Sequence, residues 1–257
     1  AVLKENLITV SVVILLLLAT LLIASYKWWI LLKNINYDIP YFMSYFLYTT
    51  GLFFNIFMPG SAGGDLVKGV YLFKFVKISQ RTNALSTIII DRLIGLHALL
   101  FLTFFSLIYL WEISFSIVEI KTMLFIIIFL IFFIPILIFL LINYSENLIK
   151  FTSKFHGKIQ IKINEIISKL LISSQLYKGK IPILLYCYIL SLINHFIQIT
   201  CFFIIAIILF GDIIFLKDIL ASSSLSLVIN IIPLTPGGIG LGEGAFNFLL
   251  LNISQYE

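Results

Sequence analysis

At 257 residues, with 61% apolar and 11% charged residues and a mean hydropathy of +1.13, the chain lies far outside the range of soluble globular proteins. That excludes a large soluble catalytic head and marks an integral membrane protein. The formal net charge of +5 and pI of about 9.1 accompany no nucleic-acid motif, so no nucleic-acid partner is expected and the excess charge is assigned to anionic lipid headgroups.

The first span runs from Leu7 to about Leu32, longer than the ~20 residues a bilayer requires. Lys27, Trp28, Trp29 and Lys33 cluster at its end, where interfacial aromatics and snorkelling lysines belong, and this end reads as cytoplasmic. After a polar turn, Lys33 to Pro40, the stretch Tyr41 to Met58 repeats Ser44, Tyr48, Gly51 and Asn55 at helical spacing. It reads either as a tilted span with a small-residue face or as a plunge to the midplane that turns at Pro59. Gly60, Gly63 and Gly64 follow, then Asp65 opens a helix carrying Lys68. Asp65 suits two roles there, capping free amides or meeting a ligand. Lys68, Lys74, Lys77 and Arg81 form a basic, cytoplasmic set.

Ser86 to Leu110 is a full span with Asp91 and Arg92 in its first turns, either an interfacial anchor or part of a polar path, and His97 deeper as a structural hydrogen-bonding residue. The loop Trp111 to Lys121 reads as external. Thr122 to Ile142 is a featureless span that Pro135 should kink. From about 146 to 180 lysines and isoleucines alternate, as in an amphipathic cytoplasmic surface helix. Pro182 to Phe210 is a further span whose Ser191, Asn194, His195 and Gln198 share one face, as an interhelical hydrogen-bonded stripe or a hydrated path. Cys187 and Cys201, fourteen positions apart on that helix, cannot bridge one another.

The break the chain is organised around is IIPLTPGGIGLGEGAF, Ile231 to Phe246, preceded by the serine-rich Ile219 to Ile232 and followed by Ala245 to Ile253. Pro233 and Pro236 stop a helix; Gly237, Gly238, Gly240, Gly242 and Gly244 loosen the backbone. Broken backbone at membrane depth is tolerated where protein or a watered cavity satisfies its polar groups, so this stretch should line a site. It also mirrors the earlier break. Asn55, Pro59, glycines and Asp65 correspond to Asn230, Pro233 and Pro236, glycines and Glu243. The side assignments make the two run in opposite senses, as in transporters built from inverted repeats. The fold expected is all-α: a polytopic membrane helix bundle with two broken or re-entrant helix pairs, in one transmembrane domain over the whole chain, which reads as trimmed at both ends.

Four motifs in order resemble one family: Lys27-Trp28-x-x-Leu31-Leu32; Asn55-x-x-x-Pro59-Gly60-x-x-Gly63-Gly64-Asp65-x-x-Lys68; Asp91-Arg92 opening a span; and Pro233-x-x-Pro236-Gly237-Gly238-x-Gly240-x-x-Glu243. Together they look like the lysylphosphatidylglycerol synthase transmembrane, or flippase-like, family. The resemblance implies movement of lipids between leaflets, a prokaryotic cell membrane, and relatives fused to lipid-synthesising heads that these residues do not include. It points to a flippase or scramblase for a phospholipid or polyprenyl-phosphate-linked lipid, with no enzymatic activity. The alternatives are an ion-coupled small-solute transporter or a membrane-embedded lipid-modifying enzyme. The glycine-rich turns would offer amides to a phosphate, with Lys68 and Arg92 pairing to it. Asp65, Glu243, Asn194, His195 and Gln198 would meet a cationic or hydroxylated head, and Glu243, read as the deepest, would exchange a proton. With no Walker motif or metal-ligand spacing, no cofactor is expected. The partners expected are anionic or phosphate-bearing lipids, a second copy of the chain, or a separate lipid-synthesising enzyme.

Overall fold

The computed structural model describes residues 6–58, 63–110, 117–144, 171, 175–210, 216–231, 235 and 240–254. Those residues are helical apart from short turns and connections, without a strand. In chain order they form α1 (Leu7–Asn34), α2 (Tyr41–Phe57), α3 (Gly63–Leu72), a 3₁₀ turn (Ile78–Gln80), α4 (Arg81–Tyr109), α5 (Val118–Asn143), a second 3₁₀ turn (Gln175–Tyr177), α6 (Ile181–Phe210), α7 (Leu216–Ile229) and α8 (Leu241–Ser254). Four of these, α1, α4 with its preceding 3₁₀ turn, α5 and α6, are long and apolar enough to cross a membrane. The boundaries differ from the sequence expectation by at most five residues, at the start of α4, with one correction: Glu119 and Lys121 belong to α5 and not to a loop. Most of the expected amphipathic segment at 146–180 lies outside the described residues.

Helix α4 is the inner one. Of its most apolar stretch 44% is buried, against 17% for α1, α5 and α6, which turn most of their surface outwards. A helix apolar on all sides has no amphipathic face to direct it, and lipid tails compete equally with neighbouring helices for leucine, so packing must come from small residues and polar contacts. The structure supplies both. Trp28 is fully buried and its indole N–H donates to Thr87 Oγ1 at 3.0 Å, joining α1 to α4. Ser44 Oγ donates to the Ser25 carbonyl, and Ser106 and Ser224 share a 2.8 Å hydrogen bond between α4 and α7. One core forms around Trp28, Leu31, Leu47, Leu72 and Ile88, another around Leu107, Leu124, Ile127 and Leu225.

The interfacial reading of α1 needs correcting. Trp29 does sit where an interface residue belongs, with the Lys33 ammonium 4.8 Å above its ring. Lys27 does not snorkel. Helix α1 continues to Asn34, seven residues on, which puts Lys27 about 10 Å inside its end. There the ammonium lies 3.0 Å from Asp91 Oδ1 of α4 and donates to Ser191 Oγ of α6 at 3.0 Å. The carboxylate contact is ionic more than directional, since Oδ1 receives no aligned hydrogen bond. Beyond α1, the Tyr37 hydroxyl donates to the Gln80 carbonyl, and burial pushes its pKa up to about 12.

The two breaks are built alike. In the α2–α3 pair Gly51 and Gly64 press together so closely that a Cβ on Gly51 would lie 2.9 Å from the Gly64 carbonyl, while Asn55 accepts the Gly64 N–H at 2.7 Å. In the α7–α8 pair Ser226, four residues before Asn230 as Gly51 is before Asn55, donates to the Gly242 carbonyl at 2.7 Å. The Asn230 amide lies against Gly242, leaving no room for a side chain there. Each following residue, Asp65 or Glu243, is the third of its helix.

Pro135 sits inside α5 and has no N–H to offer the Ile131 carbonyl four residues back. The ring nitrogen Nε2 of His97 lies 3.1 Å from that carbonyl, which can only accept, so Nε2 carries the proton. His97 therefore closes the gap that Pro135 opens.

Two outcomes are expected in thermal unfolding of the purified protein in detergent. His97→Ala lowers stability by about 1–3 kcal/mol by orphaning a buried acceptor. The loss shrinks in a Pro135→Ala background, where residue 135 regains its own N–H; equal losses in both backgrounds would refute the pairing. Lys27→Met costs about 3–5 kcal/mol by stranding Asp91, and adding Asp91→Leu recovers most of it. A double variant no more stable than the single one would contradict the buried pair.

Candidate functional site

Where α1, α2, α4, α6 and α7 meet, the bundle leaves a cavity of about 530 Å³. Its wall draws Lys27 from α1, Tyr48 and Asn55 from α2, Asp91, Arg92 and Gly95 from α4, Ser191, Asn194, His195 and Gln198 from α6, and Asn230 from the turn that follows α7. A smaller pocket of about 110 Å³, sharing Tyr48, Asn55, Asp91 and Arg92, extends it to Asp65 and Lys68 of α3. The two asparagines that precede the breaks thus line one space.

The first break explains how a carboxylate reaches this site. Asn55, from the end of α2, accepts the N–H of Gly64 and so satisfies an orphan amide at the start of α3. Asp65 is relieved of capping, and its carboxylate goes to two cations instead: Lys68 Nζ at 3.2 Å through one oxygen and Arg92 Nε through the other. Lys68, grouped by the sequence with the basic, cytoplasmic set of Lys74, Lys77 and Arg81, is buried. It is 2% exposed, held by Asp65 and by the faces of Trp28 and Tyr48, whose ring centroids lie 4.5 and 4.8 Å from the ammonium. In this arrangement Lys68 and Arg92 share an internal carboxylate as their common anion.

Counting the groups around the two spaces, Lys27, Lys68 and Arg92 face Asp65 and Asp91, three cations against two carboxylates. Among the described residues that line these spaces, cations therefore outnumber carboxylates by one. On the α6 wall His195 bridges Gly95 O at 3.1 Å and Gln198 at 3.2 Å. Its Nε2 donates to the Gly95 carbonyl, while Nδ1 faces Gln198 Oε1. The amide oxygens of Asn194 and Asn230 are buried in the wall with no hydrogen-bond partner among the described residues. Buried polar atoms of this kind normally meet water or a ligand.

The second break behaves differently. Glu243, expected to be the deepest group, is exposed, and its Oε2 accepts the Gly240 N–H at 2.8 Å, closing the first turn of α8. The capping role that Asp65 escapes falls here to the acid itself. Neither Glu243 nor Gly240, which has φ +89, lines the cavity. Gly63 and Gly64 lie buried behind the charged pocket, at the start of α3. Pro59, Pro236, Gly237 and Gly238 fall outside the described residues. The residues that sequence reasoning missed are Lys27, Ser191 as its partner, and Tyr48 as a cation's platform. The depth of Lys27 within α1, had the helix end been placed at Asn34, was the available signal.

No curated protein and no solved structure matches the chain. A family model, the lysylphosphatidylglycerol synthase TM region, matches residues 3–256, nearly the whole chain. The ordered motifs, the membrane-spanning helices and this match agree, and the chain belongs to the lysylphosphatidylglycerol synthase TM region family, as a membrane protein related to lipid handling.

Proposed function

We propose that the protein carries a phosphate-bearing lipid, a phospholipid or a polyprenyl-phosphate-linked one, between the leaflets of a prokaryotic cell membrane as a flippase or scramblase, and is not itself an enzyme. The observation behind this reading is the polar cavity on whose walls, among the described residues, three cations meet two carboxylates, set among helices whose outer faces are apolar. An unpaired charge at the bilayer centre costs about 2.5–3.5 kcal/mol even on insertion scales, and a headgroup meets that cost on every crossing. A wall of fixed cations and amides replaces its water while the tails stay in lipid.

On this reading the phosphate competes with Asp65. Lys68 and Arg92 exchange one anion for another, so neither cation is stranded in the empty site and the lipid meets no fully formed trap. Asn194 and Asn230 supply amides to glycerol or sugar hydroxyls. The partners are the membrane lipids themselves, with a second copy of the chain or a separate lipid-synthesising enzyme as protein partners.

The test is leaflet exchange in reconstituted vesicles carrying headgroup-labelled lipids. Arg92→Ala is expected to slow exchange by about ten- to a hundredfold, the loss of one charge-assisted contact worth about 1.5–3 kcal/mol. Glu243→Gln, outside the cavity wall, leaves it near the wild-type rate. Exchange unchanged by Arg92→Ala rejects the site. A wild-type protein that moves no lipid yet takes up a soluble solute saturably rejects the lipid reading in favour of small-solute transport.

A further inference from the structure

A second space lies on the other side of α4, a cavity of about 340 Å³ between α5 and α6. It shares no lining residue with the polar cavity. From Pro135 onwards α5 presents Ile138, Phe139, Ile142 and Asn143 to it, and α6 presents Ile181, Leu184, Leu185 and Tyr188, both sets at helical spacing. The two helices make no substantial contact with each other; each packs on α4, whose Ile94 and His97 form the floor. The floor is chemically closed, because His97 is turned to the Ile131 carbonyl and its ring lies tilted against that of Tyr188, centroids 5.2 Å apart. The rims are open: Phe139, Ile181 and Leu185 are 57%, 65% and 56% exposed. In a spanning bundle what lies beyond those rims is hydrocarbon.

One end of the groove is polar. Tyr177 and Gly179 line it, Gly179 in the left-handed region at φ +76, and the intervening Lys178 is exposed. The neighbouring Lys180 ammonium is already held by the Asn34 carbonyl. Among the described residues no carboxylate lies in the lining. From Pro135 to Asn143 the groove is about 12 Å long, close to one leaflet's ~15 Å share of the hydrocarbon core.

We propose that this groove is a second lipid site, seating one acyl chain of an anionic phospholipid from the leaflet at the Lys178 end, with its phosphate at the Lys178–Gly179 turn. The occupant follows from the surroundings: an apolar slot one leaflet deep, open sideways to lipid, with a cation and, among the described residues, no acid at its mouth. The site holds a resident lipid and does not depend on whether the polar cavity moves one.

The full chain in phosphatidylcholine vesicles containing a trace of phosphatidylglycerol with a photoactivatable acyl chain provides the test, with crosslinks mapped by mass spectrometry. Labelling is expected to concentrate on Ile138, Phe139, Leu184 and Leu185 over the outward-facing Phe125 and Phe129. Leu184→Trp, which fills the slot, lowers groove labelling several-fold and leaves Phe125 and Phe129 unchanged; Ile138→Phe does the same should the first variant fold poorly. Lys178→Ala, at an exposed position, removes the preference for a phosphatidylglycerol probe over a phosphatidylcholine one. Even labelling around α5, or no response to either filling variant, overturns the site. Equal labelling by both probes in the wild type overturns the anionic headgroup, and loss of groove labelling in Arg92→Ala overturns its independence from the polar cavity.

Discussion

A lysine and an aspartate facing each other inside hydrocarbon are the constraint on which the arrangement rests. Either charge alone would be expelled or neutralised; together, with Ser191 accepting one of the ammonium's protons, they hold α1, α4 and α6 at one level. The surrounding leucines and isoleucines cannot do this, because a lipid tail satisfies them as well as another helix does. The ion pair also sets the shape of the cavity, since Lys27, Asp91 and Ser191 are all in its wall. Stability and site are therefore the same contacts seen from two sides.

Around that centre the two helix pairs solve one problem in two ways. Each brings an asparagine from the end of one helix against a glycine near the start of the next, and each places an acid immediately after the glycine. In the first pair the asparagine caps and the acid is released to the cations. In the second the acid caps, and the Asn230 amide oxygen has no hydrogen-bond partner among the described residues. The same local pattern yields a charged wall on one side of the cavity and a neutral, hydrogen-bonding wall on the other.

The class, the spans to within about five residues, and the pairing of the two breaks were legible because each rests on local chemistry: apolar length, proline without a donor, glycine where backbones touch. The α6 face of Asn194, His195 and Gln198 was legible from helical spacing alone. Partners across the bundle were not. Lys27 next to two tryptophans has the composition of an interface anchor, and only the extension of α1 to Asn34 moves it inwards. Asp65 and Glu243 looked interchangeable because a sequence carries the acid but not the competing cap; Asn55 at hydrogen-bonding distance from Gly64 is a tertiary fact. Lys68 looked like one of a basic row for the same reason, its aromatic neighbours coming from α1 and α2.

Asp91 and Arg92 are consecutive on α4, so their side chains leave the helix about 100° apart, one towards α1 and the other towards α3. A turn of α4 about its own axis cannot relax one ionic contact without straining the other. The central helix thus behaves as a locked spindle, and any rearrangement that reshapes the cavity must release both contacts together or carry α1 and α3 around with it.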